Sequence, residues 1–299
     1  MNKFTSILAA ALVCGSISTF AQDDEIKVTP AIDDNFDPAF TFNKDYSYYG
    51  IYLDDETKEA NLSDNQYIYI GPDTENGRNL WIWDGQSSFV ENPSGTNSFN
   101  VPGAYMSYKV GGAGWSGIGY NIAADAAPLN LSGINDDYKF HIALKSTSND
   151  TFYFYLTDGN GKQADLVFGS KAFPTDTGDK EPIANFERDD EWYNIDIPMT
   201  YLEDQFGLSF KKNATEYKDK NILCLLAGSN EGTVIDYDAV FFYGPKTTNG
   251  INDAKSDATN GVKTYFTITG EKVSASYAKG NKGIYVVKEG NTAKKVVID

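Results

Sequence analysis

Apolar and polar residues alternate with a period of two through much of this 299-residue chain. Successive strand side chains point to opposite faces, so the alternation predicts strands. They fall at Tyr67–Ile70, Asn79–Trp83, Tyr105–Val110, Lys139–Leu144, Thr151–Leu156, Trp192–Ile197, Asn221–Leu226 and Val234–Tyr243. Turn clusters separate them, among them Pro72-Asp73, Asp158-Gly159-Asn160-Gly161 and Gly228-Ser229-Asn230-Glu231-Gly232. Thr151–Gly169 reads as a hairpin in which Gly159 or Gly161 supplies positive φ. Helical spacing is confined to about Met199–Phe206. Strands at this density without intervening helices predict an all-β fold, an antiparallel two-sheet β-sandwich. The sequence shows no fixed-period repeat, which argues against solenoids and propellers.

Composition supports the β reading. Aromatic residues make up 14% of the chain, led by 20 Tyr and 18 Phe, and there are 27 Gly. That mixture suits half-buried strands and turn-rich connections. At the front, Lys3, the apolar stretch Ile7–Val13 and the ending Thr19-Phe20-Ala21 match a secretory signal peptide, with cleavage expected after Ala21. The apolar stretch is too short for a spanning helix, so no transmembrane segment is expected in the mature chain. Cleavage leaves Cys224 as the sole cysteine, within Ile222–Leu226, where it is expected to pack as a small hydrophobe. With only His141 beside it, the common zinc spacings are excluded.

Charge divides the chain. The whole carries −17, and loss of Lys3 makes the mature chain −18. Gly250–Asp299 holds eight lysines against five acids, so residues 22–249 carry −21. An acidic body argues against nucleic acid and anionic lipid as partners. The polar run Lys246–Gly250 marks the boundary. The expected organisation is a signal peptide over 1–21, a β-sandwich over 22–245, a linker over 246–261 and a β tail over 262–299. The tail offers three short strands, Val262–Ile268, Ile284–Lys288 and Lys294–Ile298.

Candidate chemistry centres on aromatic rings. Trp81 and Trp83 are two apart and share a strand face, and indole is the largest apolar platform for a sugar ring. Trp115 lies in Gly111–Gly117, where small neighbours leave room for a ligand. Each has core packing as its alternative, and for Trp192 core packing is the expectation. His141 points away from Phe140, Ile142 and Leu144, where it is placed to bond a hydroxyl or to act as general acid or base. Asp236 and Asp238 alternate on the last strand and share a face. Nucleophile elbows, phosphate loops and cofactor motifs are missing from the sequence, so no nucleotide or redox cofactor is expected. The run Glu187–Glu191 reads as a solvated acidic turn.

Two resemblances add to this. The segments Thr264–Val273 (with Tyr265, Thr269, Gly270 and Val273), Lys282–Lys288 and Lys294–Ile298 resemble, in shortened form, the C-terminal sorting tails of secreted Bacteroidetes proteins. That implies type IX export machinery as a partner and an extracellular or outer-membrane surface location, with the periplasm as alternative. The order of strand and turn types over Trp115–Gly244 resembles a carbohydrate-binding jelly roll of the galactose-binding-like kind. In that family an aspartate of the closing strand often joins a structural calcium site, which makes Asp236 a candidate ligand, with Asp33, Asp34 and Asp37 as candidate partners. The Glu-x-Asp-x-x-Glu strand of retaining glycosidases on sandwich folds is not in the sequence. The expected function is a non-catalytic glycan-binding or surface protein, with Trp81, Trp83, Trp115 and His141 on the ligand. The alternatives are a glycoside hydrolase or polysaccharide lyase on a jelly-roll fold, and a structural or adhesive surface protein.

Overall fold

Alternation along Lys139–Lys145 places Phe140, Ile142 and Leu144, all fully buried, on one face of a strand. The same rule builds both layers of the body. The computed structural model describes residues 25–32, 46–53, 78–83, 87–91, 93–112, 116–126, 130–213, 220–226, 230–245, 263–267, 269–289 and 292–298. The chain divides into two compact units between Lys246 and Thr247.

In the first unit the described strands are β1 (Lys27–Pro30), β2 (Tyr46–Tyr52), β3 (Arg78–Ile82), β4 (Ser88–Glu91), β5 (Met106–Lys109) and β6 (Ile118–Ile122). They continue as β7 (Lys139–Lys145), β8 (Phe152–Thr157), β9 (Gln163–Phe168), β10 (Tyr193–Pro198), β11 (Lys220–Leu225) and β12 (Val234–Pro245). A seven-stranded sheet has the order β1-β10-β7-β12-β5-β4, with β2 also pairing β12, and a five-stranded sheet has the order β3-β6-β11-β8-β9. Every pairing is antiparallel. The body is therefore an all-β, two-sheet antiparallel sandwich, as the alternation predicts.

The core lies between the sheets. Ile142, Ile195 and Phe242 from one layer join Tyr120, Phe154, Leu166 and Leu225 from the other in one buried cluster. Tyr120 and Tyr237 share a hydrogen bond of 2.8 Å across it. That pairing lets two phenols lie in the core without stranding a polar hydroxyl. The hairpin β8–β9 turns through Gly161 at φ 77°, one of the two glycines expected there. Helix α1 (Met199–Phe206) follows Pro198 directly and stops at Gly207, whose φ of 72° lets its N–H reach the carbonyl of Glu203. A short helix α2 (Phe210–Asn213) follows.

The predicted strand Tyr67–Ile70 lies outside the described residues. Four described strands of this unit, β1, β2, β4 and β6, were not among the predicted ones. β2, Tyr-Ser-Tyr-Tyr-Gly-Ile-Tyr, carries aromatics on both faces, which hides a period of two. β1 and β4 have four residues each, too few to show one.

The second unit, described by itself, contains β13 (Lys263–Thr267), β14 (Lys272–Val273), α3 (Ala275–Gly280), β15 (Gly283–Glu289) and β16 (Thr292–Ile298). Its sheet order is β14-β13-β15-β16. The Ser274 side chain caps α3 by accepting from the N–H of Tyr277. Three of its strands match the expected ones; β14 and α3 are additional.

Candidate functional site

Each sheet of the sandwich has an outer face, and the two are built differently. On the five-stranded sheet, cross-strand register aligns three rows. Asn79 pairs with Asn121, which pairs with Asn221. Beside that row, Trp81 pairs with Gly119, then Cys224, Tyr155 and Asp165. In the third, the N–H of Trp83 donates to the carbonyl of Gly117 at 3.1 Å, and the N–H of Leu226 to the carbonyl of Tyr153 at 2.8 Å. Neighbouring strands lie about 4.8 Å apart. Trp81 on β3 and Tyr155 on β8 are three spacings apart, so the aromatic rows cross about 14 Å of sheet.

Trp81 is 49% exposed, a large fraction for an indole. Trp83 is half-buried because it lies over β6. A Cβ on Gly119 would sit 2.6 Å from Trp83 Cζ2, and one on Gly117 would sit 3.0 Å from Cε3. The two glycines therefore let the indole rest against the strand backbone. One ring face meets the sheet, an orientation that suits stacking of a flat ligand on the other. Tyr155 and the buried Cys224 continue the row. Burial pushes the Cys224 thiol up to about 12, so it acts as a small apolar group here.

At the far end stands the row's carboxylate, Asp165. It accepts from the Tyr153 hydroxyl at 2.6 Å and from Gln163 Nε2 at 2.7 Å, and pairs with Lys180 at 2.8 Å. Burial alone would raise its pKa, but these contacts outweigh burial and hold it below the usual carboxylate range. Phe173 packs on Tyr153 with ring centroids 5.2 Å apart. A cavity of about 280 Å³ lies past this end, lined by residues including Asp179, Glu181, Tyr201 and Phe206.

The outer face of the seven-stranded sheet is covered. Tyr48, Leu53, Tyr105, Ala143, Trp192, Ala239 and Phe241 form a second buried cluster there. Trp192 belongs to it, with its indole N–H donated to the carbonyl of Thr96 at 2.8 Å. His141 does point away from the main core, but it stacks on Phe241 at 4.6 Å and is only 9% exposed. Its Nδ1 lies 2.8 Å from Asp196 Oδ1, which also accepts from the Tyr243 hydroxyl at 3.0 Å. His141, expected on the ligand together with Trp81 and Trp83, therefore lies on the opposite sheet from them.

Asp236 and Asp238 do share a face, as expected, but their surroundings differ. Asp236 pairs with Lys145 at 3.4 Å, and the Lys145 ammonium sits over the rings of Tyr105 and Trp192. Its carboxylate is thus met by an ammonium. No cluster of three or more metal-ligating side chains occurs among the described residues. Asp33, Asp34 and Asp37 lie outside the described residues, as does Trp115. Asp238 is fully buried and accepts from the Ser98 N–H and hydroxyl on Oδ2 and from the Ala239 N–H on Oδ1.

The residues missed in sequence are Tyr155, Gly117, Gly119 and the three asparagines. Asn79 was within reach, because Asn79, Trp81 and Trp83 share one parity. The others join the site only through pairing between distant strands.

No protein-family model matches this chain, and no curated protein does. Solved structures with similar architecture include a family 30 carbohydrate-binding module, at TM-score 0.31 and 10% identity over 52% of this chain and 82% of that one. A family 11 carbohydrate-binding module of the cellulosomal cellulase Lic26A-Cel5E of Clostridium thermocellum aligns at TM-score 0.31 and 14% identity, over 56% and 88%. SGBP-B from a xyloglucan utilization locus in Bacteroides uniformis aligns at TM-score 0.31 and 14% identity, over 60% and 49%. At such scores the likeness decides neither ligand nor activity. Among the described residues, no helix is long and apolar enough to cross a membrane.

Proposed function

We propose that the body binds glycan on the outer face of its five-stranded sheet, without catalysing a reaction. The observation that carries this is the exposed Trp81 beside Trp83, whose ring is laid flat over Gly117 and Gly119. Sugar rings expose apolar C–H faces that stack on indole, and hydroxyl groups that both donate and accept. The asparagine row supplies matching amides one step away. A purely structural protein needs no half-exposed tryptophan here.

The hydrolase reading finds little support on this face. The carboxylate of its central row, Asp165, is held by Lys180, Tyr153 and Gln163 and kept ionised, which suits structure better than proton donation. The charged leader and the tail support the further proposal that the chain is exported.

Affinity gel electrophoresis against a panel of soluble polysaccharides tests the binding reading. The wild-type chain is expected to be retarded by at least one, and Trp81→Ala to bind it at least about tenfold more weakly, the equivalent of ~1.4 kcal/mol of stacking. Because Trp81 is half exposed, the variant should keep its melting temperature. If no polysaccharide retards the wild type, the reading fails.

A further inference from the structure

We infer that the ligand of this face is an uncharged glycan, as opposed to a uronate-containing or sulfated one. The inference rests on the glycan-binding reading and adds the chemical class of the sugar. It comes from a contrast in charge. Residues 22–249 carry −21, yet among the described residues the three cross-strand rows hold one charged side chain, Asp165, and Lys180 sits 2.8 Å from it. The other side chains of these rows include Trp81, Trp83, Tyr153, Tyr155, Cys224 and Leu226 and the amides of Asn79, Asn121 and Asn221, all uncharged.

An anionic sugar needs cations. Carboxylate and sulfate groups leave water only for Arg or Lys, by charge-assisted and often bidentate bonds. The ammonium at the end of the central row, that of Lys180, is already paired with Asp165, and Asp179 and Glu181 flank it in sequence and line the adjoining cavity. Bringing a polyanion there sets like charges together, and the acidic body repels its approach out to roughly the ~8 Å screening length of physiological salt.

The amides point the same way. An amide offers both donor and acceptor, which matches a hydroxyl; ionised carboxylates and sulfates only accept. The Oδ1 of Asn79 is buried with no hydrogen-bond partner, so the row already has an acceptor in want of a donor. Hydroxyl groups supply donors, and acceptor-only groups leave the deficit in place.

The test runs the wild-type chain and Trp81→Ala through gels containing neutral polysaccharides (hydroxyethylcellulose, xyloglucan, galactomannan, mixed-linkage β-glucan) and anionic ones (polygalacturonate, alginate, chondroitin sulfate). Each gel is run at low and high salt. The expected result is Trp81-dependent retardation by at least one neutral polymer, changed less than twofold by salt, and none by the anionic polymers. Retardation by an anionic polymer that Trp81→Ala abolishes overturns the inference while leaving glycan binding intact. Retardation by no polymer overturns both.

Discussion

At the scale of single residues, the site depends as much on what is missing as on what is present. Trp83 offers a flat ring because Gly117 and Gly119 present no Cβ beneath it. Gly119→Ala tests this. Neither glycine is held at a positive φ, so alanine suits the backbone there; its main conflict is the 2.6 Å approach to Trp83, with a milder one at 3.2 Å from Asn221 Oδ1. The ring must tilt or shift, at about 1–3 kcal/mol for an overpacked position. The expected outcome is a melting temperature lowered by several degrees and glycan retardation reduced at least as far as by Trp81→Ala. Unchanged binding would show that the ligand does not use the Trp83 face. Much of this was legible beforehand: the parity of Asn79, Trp81 and Trp83 follows from spacing alone. The outward turn of His141 was equally legible. Its cover was not, because Phe241 and Tyr243 lie about a hundred residues on and arrive only when β12 pairs with β7. An outward side chain is a ligand candidate only where nothing else in the fold lies over it.

At the scale of elements, the last strand of the body departs from simple alternation. Between Asp238 and Phe241 the register of β12 against β7 shifts, and Ala239 takes φ 51° in the left-handed region. This bulge puts Phe241 on the outer face and Val240 in the main core, so Asp-Ala-Val-Phe-Phe fills two layers at once. Asp238 holds the bulge through the Ala239 N–H and ties it to Ser98 in the segment before β5. Burial pushes the Asp238 carboxyl up to about 6, against the pull of those donors. The folded state therefore holds a proton that the unfolded chain gives up near its model value of 3.8. This contribution to stability is complete below that value and is lost as pH rises through about 6. Asp150, Asp165 and Asp196 act in the opposite sense. Burial alone would raise them, but their hydrogen bonds and cationic neighbours hold them low, so they stabilise above the model value and that help fades as pH falls. Urea midpoints are thus expected to peak on the acid side, between about 4 and about 6. In Asp238→Asn the decline above the peak should flatten, and the chain should be less stable at every pH because an amide has one accepting oxygen: kept on the Ala239 N–H, it turns a donor toward the Ser98 N–H. A decline that persists in the variant would belong to another group, such as Asp236, whose pKa burial also raises. None of this was readable from the strand itself, because one extra residue in a ladder leaves no mark on composition.

At the scale of the whole molecule, contacts divide the chain between Lys246 and Thr247, and the sequence shows a change of charge and a polar run near the same place. How the strands are shared between two sheets was not legible, since inward alternation looks the same in either layer. The two units differ in the means they have to stay folded. The body encloses a core that includes Phe140, Phe154, Phe168 and Phe242. In the tail the described buried apolar residues are Ala278, Tyr285 and Val287, while Ile284 and Val297, paired across β15 and β16, are 40% and 60% exposed. A unit of about fifty residues with so small a core is marginal, since the fraction of surface buried falls with size. Calorimetry of the chain from residue 22 onward is therefore expected to show two transitions, a small one at lower temperature for the tail and a large one for the body. A chain ending at Lys246 should lose the first and keep the second within about a degree or two, with Trp81-dependent glycan retardation unchanged. The sandwich closes its own core and carries the aromatic face on its own strands, so neither property needs the tail. A single transition that shifts when residues 247–299 are removed would show instead that the two units unfold as one, and the binding face would then have to be studied with the tail in place.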